Sequence, residues 1–418
     1  MKKILAMLTV VSMCFVMLAG CGNSDSSTSS ASSNKPAASD SSAADNSSAA
    51  NDSVEDISSG PDYSGPKPIG LYESTHTEQE EMRDITAWEL VKEIKTGWNL
   101  GNTLDATGSS SLAAEISWQP DPTTKEMIDL LKNDGFDLIR IPVSWGMHMD
   151  ANYNVDPEWM ARVHEIVDYA IDSDMYVILN THHEEWYFPD EENKEQDIEQ
   201  LKALWTQIAE EFKNYDEHLI FEGLNEPRLR GTQYEWSGGN KKSREVVKEY
   251  AQAFYETVRA SGGNNPKRML MLTGYAASSQ RTCLNDVWLP ENDKNVIVSV
   301  HGYLPYSFAL DTEGTDKFSD GNKGEIDSLF QSLANLFYVN EIPVIVGEYG
   351  CVDKNNTSER VECITYYLET AKKLGIPCVL WDNNAVGTDG ENFGMMDRAN
   401  CTWKFPEIID AIKAVYAE

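Results

Sequence analysis

The sequence is poor in basic residues. It contains 34 lysines and arginines against 68 aspartates and glutamates, which gives a formal net charge of -34 at pH 7. Nucleic acids and anionic lipid surfaces attract proteins through basic patches. This charge balance argues strongly against both as partners, and it suits a neutral ligand.

Cysteine is scarce as well. Two of the seven cysteines, Cys14 and Cys21, lie near the N-terminus. The others are scattered without a CxxC spacing: Cys283, Cys351, Cys363, Cys378 and Cys401. Such spacing predicts neither a disulfide framework nor a structural zinc site, although it is compatible with one disulfide bridge.

A long apolar run occurs at the N-terminus, where Ile4–Leu18 follows two lysines and precedes a polar segment. The run is too short for a membrane-spanning helix, so it predicts a signal peptide over residues 1–20. The segment LAGC, which ends at Cys21, resembles a bacterial lipobox, in which the signal is removed and the cysteine is lipidated. We therefore expect a lipoprotein outside the cytoplasmic membrane, held to that membrane only through acyl chains on Cys21.

Large apolar residues are almost absent from residues 21–66, which are rich in serine, alanine, asparagine and aspartate. Such a segment cannot bury enough apolar surface to offset the chain entropy lost on folding. It therefore predicts a flexible linker. Residues 67–418 hold nearly all the aromatic residues, and we expect them to form one large catalytic domain.

Strand-like and helix-like segments alternate along this domain. The strand-like runs are short and continuously apolar, as in a parallel sheet that is covered on both faces. These runs are Thr96–Asn102, Asp137–Val143, Met175–His182, Leu219–Glu226, Arg268–Gly274, Asn295–Tyr303, Pro343–Tyr349 and Pro377–Asp382. The helix candidates are Pro122–Asn133, Asp156–Asp172, Lys194–Asn214, Ser243–Ser261, Gly324–Asn340, Glu359–Lys373 and Phe405–Tyr416. Eight such units favour an α/β fold of the (β/α)8 type, a TIM barrel, although the fifth connection predicts an irregular segment.

Two glutamates end strands of this predicted barrel, at the end where such barrels carry their chemistry. Glu226 ends the fourth strand in LNEP, and Glu348 ends the seventh in GEYG. Hydrolysis of an acetal needs one acid to protonate the leaving oxygen and one carboxylate to attack the sugar. We therefore predict Glu226 as general acid/base and Glu348 as nucleophile, and we expect the neighbouring charge, with partial burial, to raise the pKa of Glu226 relative to that of Glu348.

Polar residues at other strand ends are expected to support this pair. Arg140 follows apolar residues and needs a carboxylate, for which Glu348 is the candidate and another acidic residue the alternative. Asn225 is placed to bind the substrate 2-hydroxyl, and Tyr303 to orient the nucleophile. Asn102 is counted among the substrate-binding residues.

Histidines also follow two strands. His182 and His183, with Glu184, follow the third strand, and His301 follows the sixth. A metal site would need further ligands at the first strand, which supplies only asparagine, so we predict no metal. We assign His182 and His301 to hydrogen bonds around the sugar and the carboxylates, and we count His183 with the substrate-binding residues.

Tryptophans point to carbohydrate, because pyranose rings offer apolar faces that pack on indole. Trp381 ends the eighth strand and is the predicted platform. The loops that should surround the same end of the barrel contain further candidates, of which Trp118 and Trp186 are preferred: Trp118, Trp145, Trp186 and Trp236. Trp98 is interpreted as a core residue.

Residues 87–416 resemble glycoside hydrolase family 5, the cellulase family A. The motifs that carry the resemblance are GWNLGNTLDA (Gly97–Ala106), RIPVSW (Arg140–Trp145), LNTHHE (Leu179–Glu184), GLNEPR (Gly223–Arg228), HGYLPYSFA (His301–Ala309), VGEYG (Val346–Gly350) and LWDNN (Leu380–Asn384). The hallmark positions of the family fall on Arg140, His182, Asn225, Glu226, His301, Tyr303, Glu348 and Trp381, and all are present.

The first and fifth of these motifs are similar to the versions in subfamily 4, the clostridial and rumen endoglucanases. The resemblance implies a retaining mechanism without a cofactor, in an endo-β-1,4-glucanase acting on cellulose, mixed-linkage β-glucan and, as a further candidate, xyloglucan. We also expect a monomer. A xyloglucan-specific enzyme or a β-mannanase on the same fold stays open, because Ala114–Pro122 and Asn384 depart from the usual motifs. Outside enzymes, a sugar-binding lipoprotein is the alternative.

Overall fold

A computed structural model of the chain describes residues 72–387 and 390–417. The predicted signal peptide, the linker and the lipidation site Cys21 lie outside the described residues. Within the part that is described, no helix is long and apolar enough to cross a membrane. None of the five cysteines of this part takes part in a disulfide.

Eight parallel strands close into a barrel in sequence order, and the first pairs with the eighth. The strands are β1 Thr96–Leu100, β2 Leu138–Ile141, β3 Tyr176–Asn180, β4 Leu219–Glu222, β5 Leu270–Ser278, β6 Val296–His301, β7 Val344–Tyr349 and β8 Cys378–Asp382. Each of them overlaps one of the predicted strand-like runs. The predicted (β/α)8 barrel is therefore confirmed.

Helices follow the strands and pack on the outside of the barrel, except for the first, which precedes β1 and packs against the inner layer. The helices are α1 Ala87–Leu90, α2 Lys125–Asn133, α3 Pro157–Ile171, α4 Lys194–Glu211, α5 Lys241–Arg259, α6 Arg281–Asn285, α7 Tyr306–Ala309, α8 Asp320–Leu336, α9 Thr357–Lys372 and α10 Pro406–Tyr416. Short 3-10 helices cover Leu112–Ile116, Gly146–His148 and Tyr338–Asn340. A two-stranded ribbon, β9 Met396–Asp397 and β10 Thr402–Trp403, follows β8.

The prediction for the fifth connection is wrong in part. The structure has a short helix there, α6, which begins directly after β5 and buries Cys283 and Leu284. One and a half turns are too few for an amphipathic period to stand out in the sequence. The segment that contains Trp288 and Pro290 is irregular, as expected.

Two apolar layers hold the barrel together. The inner layer lies inside the strands and includes Ile178, Ile297 and Ile345, and α1 adds Ala87 and Leu90 to it. The outer layer lies between the strands and the surrounding helices. Because both strand faces are buried, the strands read as continuous apolar runs. The inward-facing positions at the C-terminal ends are the exception, since they carry polar side chains.

Candidate active site

Arg140 lies at the centre of the polar cluster at the C-terminal end of the barrel and is fully buried. Its Nη1 lies 2.7 Å from Oε1 of Glu348, and its Nε lies 2.7 Å from Oε2 of Glu222. Burial lowers the pKa of Arg140, but the charges of Glu222 and Glu348 outweigh burial and raise it. The expected contact of Arg140 with Glu348 is therefore present, and Glu222 is a second partner.

The same guanidinium orders two asparagines. Arg140 Nη1 donates to Oδ1 of Asn99 at 3.0 Å, and Nη2 donates to Oδ1 of Asn225 at 2.7 Å. Each contact fixes which side of the amide is the oxygen. The NH2 group of Asn225 consequently faces away from the cation and is free to turn a donor towards a ligand.

Glu348 is held from two sides. Arg140 contacts one carboxylate oxygen, and the hydroxyl of Tyr303 donates to the other at 2.8 Å. Burial, together with the charge of Glu348, raises the pKa of Tyr303 well above its usual value, so the phenol keeps its proton and stays a donor. This geometry fixes the direction in which the Glu348 carboxylate points.

Glu226 shares a hydrogen bond with His301, whose Nδ1 lies 2.8 Å from Oε1 of Glu226 and 3.5 Å from Oε2 of Glu348. Burial raises the pKa of Glu226, but the hydrogen bond and charge of His301 outweigh burial and lower it. Burial lowers the pKa of His301, and the charges of Glu348 and Glu226 overcome this and raise it. These shifts favour the proton on the imidazole, whereas the expected rise in the pKa of Glu226 relative to that of Glu348 stays a prediction.

The two carboxylates lie close together. Ligand atoms of Glu226, His301 and Glu348 all lie within 4.8 Å of one another. An inverting glycosidase needs room for a water between its carboxyl groups, which sets them roughly 6.5–9.5 Å apart, whereas a retaining enzyme has them about 5–5.5 Å apart. The short separation leaves space for direct attack by a carboxylate.

His182 and Trp381 form a wall beside this pair. Their rings stack nearly parallel, with centroids 5.7 Å apart and 5° between the planes. Burial lowers the pKa of His182 well below its usual value, so the imidazole is neutral. Asn180 Nδ2 lies 3.2 Å from Nδ1 of His182 and donates to it, because Oδ1 of Asn180 accepts from the backbone of Val143. His182 therefore carries its proton on Nε2.

A second group of predicted residues lies at the ends of β1 and β3. The indole of Trp118 is 44% exposed and its centroid lies 5.5 Å from the ring of His183. His183 Nε2 lies 3.8 Å from Oδ2 of buried Asp105. Asn102 has a positive φ of 57°, and its backbone N–H donates to the same carboxylate. Asp105, His182 and His183 also bring ligand atoms within 4.8 Å of one another, yet the expectation of no metal stays a prediction.

The loop tryptophans divide between core and surface. The expectation that Trp145 surrounds the site is wrong, because it is fully buried and its Nε1 donates to the backbone oxygen of Asn180 at 2.9 Å. Trp186 is half-buried and donates to Glu184 at 2.6 Å. Trp236 is 58% exposed, and Trp98 is a core residue as interpreted.

Glu222 and Arg228 contact the predicted site residues but were not among the sequence candidates. Glu222 bridges Arg140 and the hydroxyl of Ser299 from inside the barrel. Its signal was available, since it is a charge within the apolar strand LIFE. Arg228 Nη1 donates to the backbone oxygen of Glu226 at 3.1 Å, a contact that depends on the path of the loop.

This arrangement places the chain among retaining glycoside hydrolases built on a (β/α)8 barrel. The family model described as "Cellulase (glycosyl hydrolase family 5)" matches residues 101–387. Endoglucanase B of Ruminococcus albus is 57% identical over 347 residues, which are 82% of this chain and 84% of that protein. The chain belongs to glycosyl hydrolase family 5.

Solved structures agree with this assignment. A GH5-4 broad specificity endoglucanase from Clostridium longisporum matches with a TM-score of 0.77 and 48% identity, over 80% of this chain and 99% of that one. The corresponding enzyme of Ruminococcus champanellensis, solved with bound cellotriose, matches with a TM-score of 0.77 and 47% identity, over 80% and 100%.

Proposed function

We propose that the protein is an endo-β-1,4-glucanase in which Glu226 is the general acid/base and Glu348 is the nucleophile. The observation that carries this proposal is the separation of less than 4.8 Å between the two carboxylates, with His301 bridging them. Arg140 and Tyr303 support the assignment of Glu348, because a cation and a donor hold its carboxylate ready to attack.

The first step forms a covalent intermediate. Glu348 attacks the anomeric carbon, the bond from this carbon to the leaving oxygen breaks, and Glu226 gives that oxygen its proton. His301, whose Nδ1 lies 2.8 Å from Oε1 of Glu226, is placed to exchange this proton with the carboxylate. The product of this step is a glycosyl ester of Glu348.

The second step hydrolyses this ester. Glu226, now a carboxylate, takes a proton from a water molecule as the water oxygen attacks the anomeric carbon, and the bond to Glu348 breaks. Two displacements at the same carbon retain its configuration. No cofactor is required by this chemistry.

The remaining residues suit the binding of a sugar. The NH2 group of Asn225 is directed to the substrate 2-hydroxyl, and Nε2 of His182 donates to a neighbouring hydroxyl. Trp381 presents its ring to the pyranose on the glycone side, with Trp118, His183 and Asn102 beyond it. Apolar ring faces packed on indole, with a few fixed donors, are typical of carbohydrate sites.

The substrate class rests on the relatives. The relatives described above are endoglucanases, two of them of broad specificity and one of these with cellotriose bound. Cellulose and mixed-linkage β-glucan are therefore the proposed substrates, with xyloglucan as a further one. A sugar-binding lipoprotein with two lobes does not fit the single closed barrel of the described residues.

The test compares the purified domain with Glu348→Gln on carboxymethylcellulose, barley β-glucan, xyloglucan and mannan. We expect activity on the first two that collapses in the variant. Activity on mannan alone would overturn the glucan assignment. Initial release of the α-anomer, followed by NMR, would overturn retention. Glu226→Ala offers a second check, since azide needs no base and should restore turnover of an aryl β-cellobioside with a β-azide product.

We further propose that the protein is secreted as a lipoprotein anchored at Cys21, with residues 21–66 as spacer and the barrel acting as a monomer. The support is the segment LAGC behind an apolar run, and a site assembled from one chain. Labelled palmitate should enter the full-length protein but not Cys21→Ser, and only the former should sediment with membranes. An unlabelled wild type contradicts the anchor, and a dimer on size-exclusion chromatography contradicts the monomer.

A further inference from the structure

Trp236 stands out among the exposed residues because its indole is 58% exposed although it lies only ten positions after Glu226. It belongs to the loop between β4 and α5, which begins at the end of the strand that carries the acid/base. Its exposed indole offers a flat apolar face, on which a pyranose ring can pack. None of the reaction steps described above uses it.

Arg228 connects this indole to the acid/base. Its guanidinium carbon lies 4.3 Å from the centroid of the Trp236 ring and covers one face of it. The same guanidinium donates to the backbone oxygen of Glu226 at 3.1 Å and lies 3.5 Å from Oε2 of that side chain. One face of the Trp236 indole is therefore packed on a cation beside Glu226, and the other face is the exposed one.

The loop is fixed in this position by contacts with the next strand. Gln280 donates to the backbone oxygen of Trp236 at 3.0 Å. The hydroxyl of Tyr275 donates to the backbone oxygen of Tyr234 at 2.9 Å. Glu235 accepts from Nε of Arg228 at 3.2 Å. The orientation of the indole is thus set before any ligand binds, which lowers the entropy lost on binding.

We propose that Trp236, backed by Arg228, is an aglycone subsite on which a glucose ring of the departing glucan chain packs. The inference rests on the proposed function, because the acid/base protonates the leaving oxygen and so marks the side on which the aglycone lies. Trp381 and His182 line the opposite, glycone side. Arg228 is a positioning residue, since it acts through the indole and through Glu226.

The experiment separates substrates that use an aglycone subsite from substrates that do not. Cellopentaose places glucose rings on both sides of the cleaved bond, whereas 4-nitrophenyl β-cellobioside has a leaving group without a sugar. Trp236→Ala should lower kcat/KM on cellopentaose about 10-fold and leave the aryl substrate within about twofold. Trp236→Phe, which keeps a ring, should recover most of the loss.

Trp118→Ala is the matched control, since it removes another exposed tryptophan at the same end of the barrel. Because Trp118 packs beside His183 on the glycone side, it should affect both substrates alike. A second readout is transfer of the cellobiosyl group from its ester with Glu348, formed from the aryl substrate, to added cellobiose. The accepting cellobiose must occupy the aglycone subsite. The ratio of transfer to hydrolysis should fall in Trp236→Ala and stay unchanged in Trp118→Ala.

Equal losses on both substrates in Trp236→Ala, or no loss on either, would overturn the subsite. Arg228→Lys should reproduce part of the cellopentaose defect and also move the pH profile of the aryl substrate, which a merely structural role would not do. A different result would overturn the proposed function, namely activity on the aryl substrate that persists in Glu348→Gln. The two failures are therefore distinguishable.

Discussion

Arg140 and Glu348 form a buried ion pair, with Nη1 2.7 Å from Oε1 and almost no exposure of either side chain. The pair is part of a larger arrangement, because Glu222 contacts Nε of the same guanidinium. Two buried carboxylates therefore depend on one cation. Both the stability of the barrel end and the orientation of the Glu348 carboxylate follow from this relationship.

Replacing Arg140 should affect both properties. Arg140→Ala leaves two buried carboxylates without their cation, and we expect a loss of about 3–5 kcal/mol in the free energy of unfolding. Arg140→Lys keeps a charge but loses the planar guanidinium that contacts several partners at once. It should unfold at a denaturant concentration closer to that of the wild type, while kcat falls about 100-fold. Denaturant titration and turnover of β-glucan measure the two effects. Arg259→Ala, which breaks a pair with Asp293 away from the site, should leave kcat unchanged.

Tyr303→Phe removes one donor from Glu348 and nothing else. A hydrogen bond to a charged group contributes roughly 1.5–3 kcal/mol, so kcat/KM should fall about 10- to 100-fold with little change in Tm. Tyr306→Phe is the control, because that side chain is 56% exposed. Equal activity of wild type and Tyr303→Phe would contradict the proposed orientation of the nucleophile.

The pH dependence of kcat/KM should report the shared proton of Glu226 and His301. The pKa of His301 is raised from 6.5, so the pair keeps its proton beyond that pH and the alkaline limb should lie above it. In His301→Asn, Glu226 must hold the proton alone, so the limb should move to lower pH and the maximum should fall. His218→Asn, a histidine that precedes β4 at the other end of the barrel, should leave the profile in place. An unmoved limb in His301→Asn contradicts proton sharing.

Glu184 should make stability depend on pH. It is buried, and burial raises its pKa from 4.5 to about 7, although N–H groups of Trp145, Gly146 and Trp186 donate to it. The folded state thus binds this proton more tightly than the unfolded chain, so the contribution is complete below about pH 4.5 and is lost as pH rises to about 7.

The loss amounts to about 3 kcal/mol over that range. The side chain of Glu184→Gln cannot ionise, so this variant should show a flatter dependence of Tm on pH. Its Tm should be lower than that of the wild type at every pH, because the new NH2 group faces N–H donors. Glu185→Gln alters the exposed neighbour and should follow the wild type. An equally steep dependence in Glu184→Gln would contradict the assignment.

The barrel and the pair of facing carboxylates at its end could be predicted because their signals are local. Each strand is a short apolar run, since both of its faces are buried, and seven of the eight runs end in polar or aromatic residues that a structural strand end does not need. Glu226, Glu348 and Arg140 were found in this way. The helix after β5 was missed because five residues carry no period, and Trp145 was misplaced because a loop tryptophan packs inward as readily as outward.

The sequence by itself determined the fold class, the two carboxylates and the cation that one of them needs, because strand order in a closed barrel follows chain order. Tertiary structure alone decided how these groups are paired. Three of these pairings depend on distances of about 3–4 Å between residues that are far apart in sequence or lie in an irregular loop. They are the contact of Glu226 with His301, the sharing of Arg140 between Glu222 and Glu348, and the stacking of Arg228 on Trp236. Electrostatic effects at that range follow from the path of the backbone, which no local pattern of residues specifies.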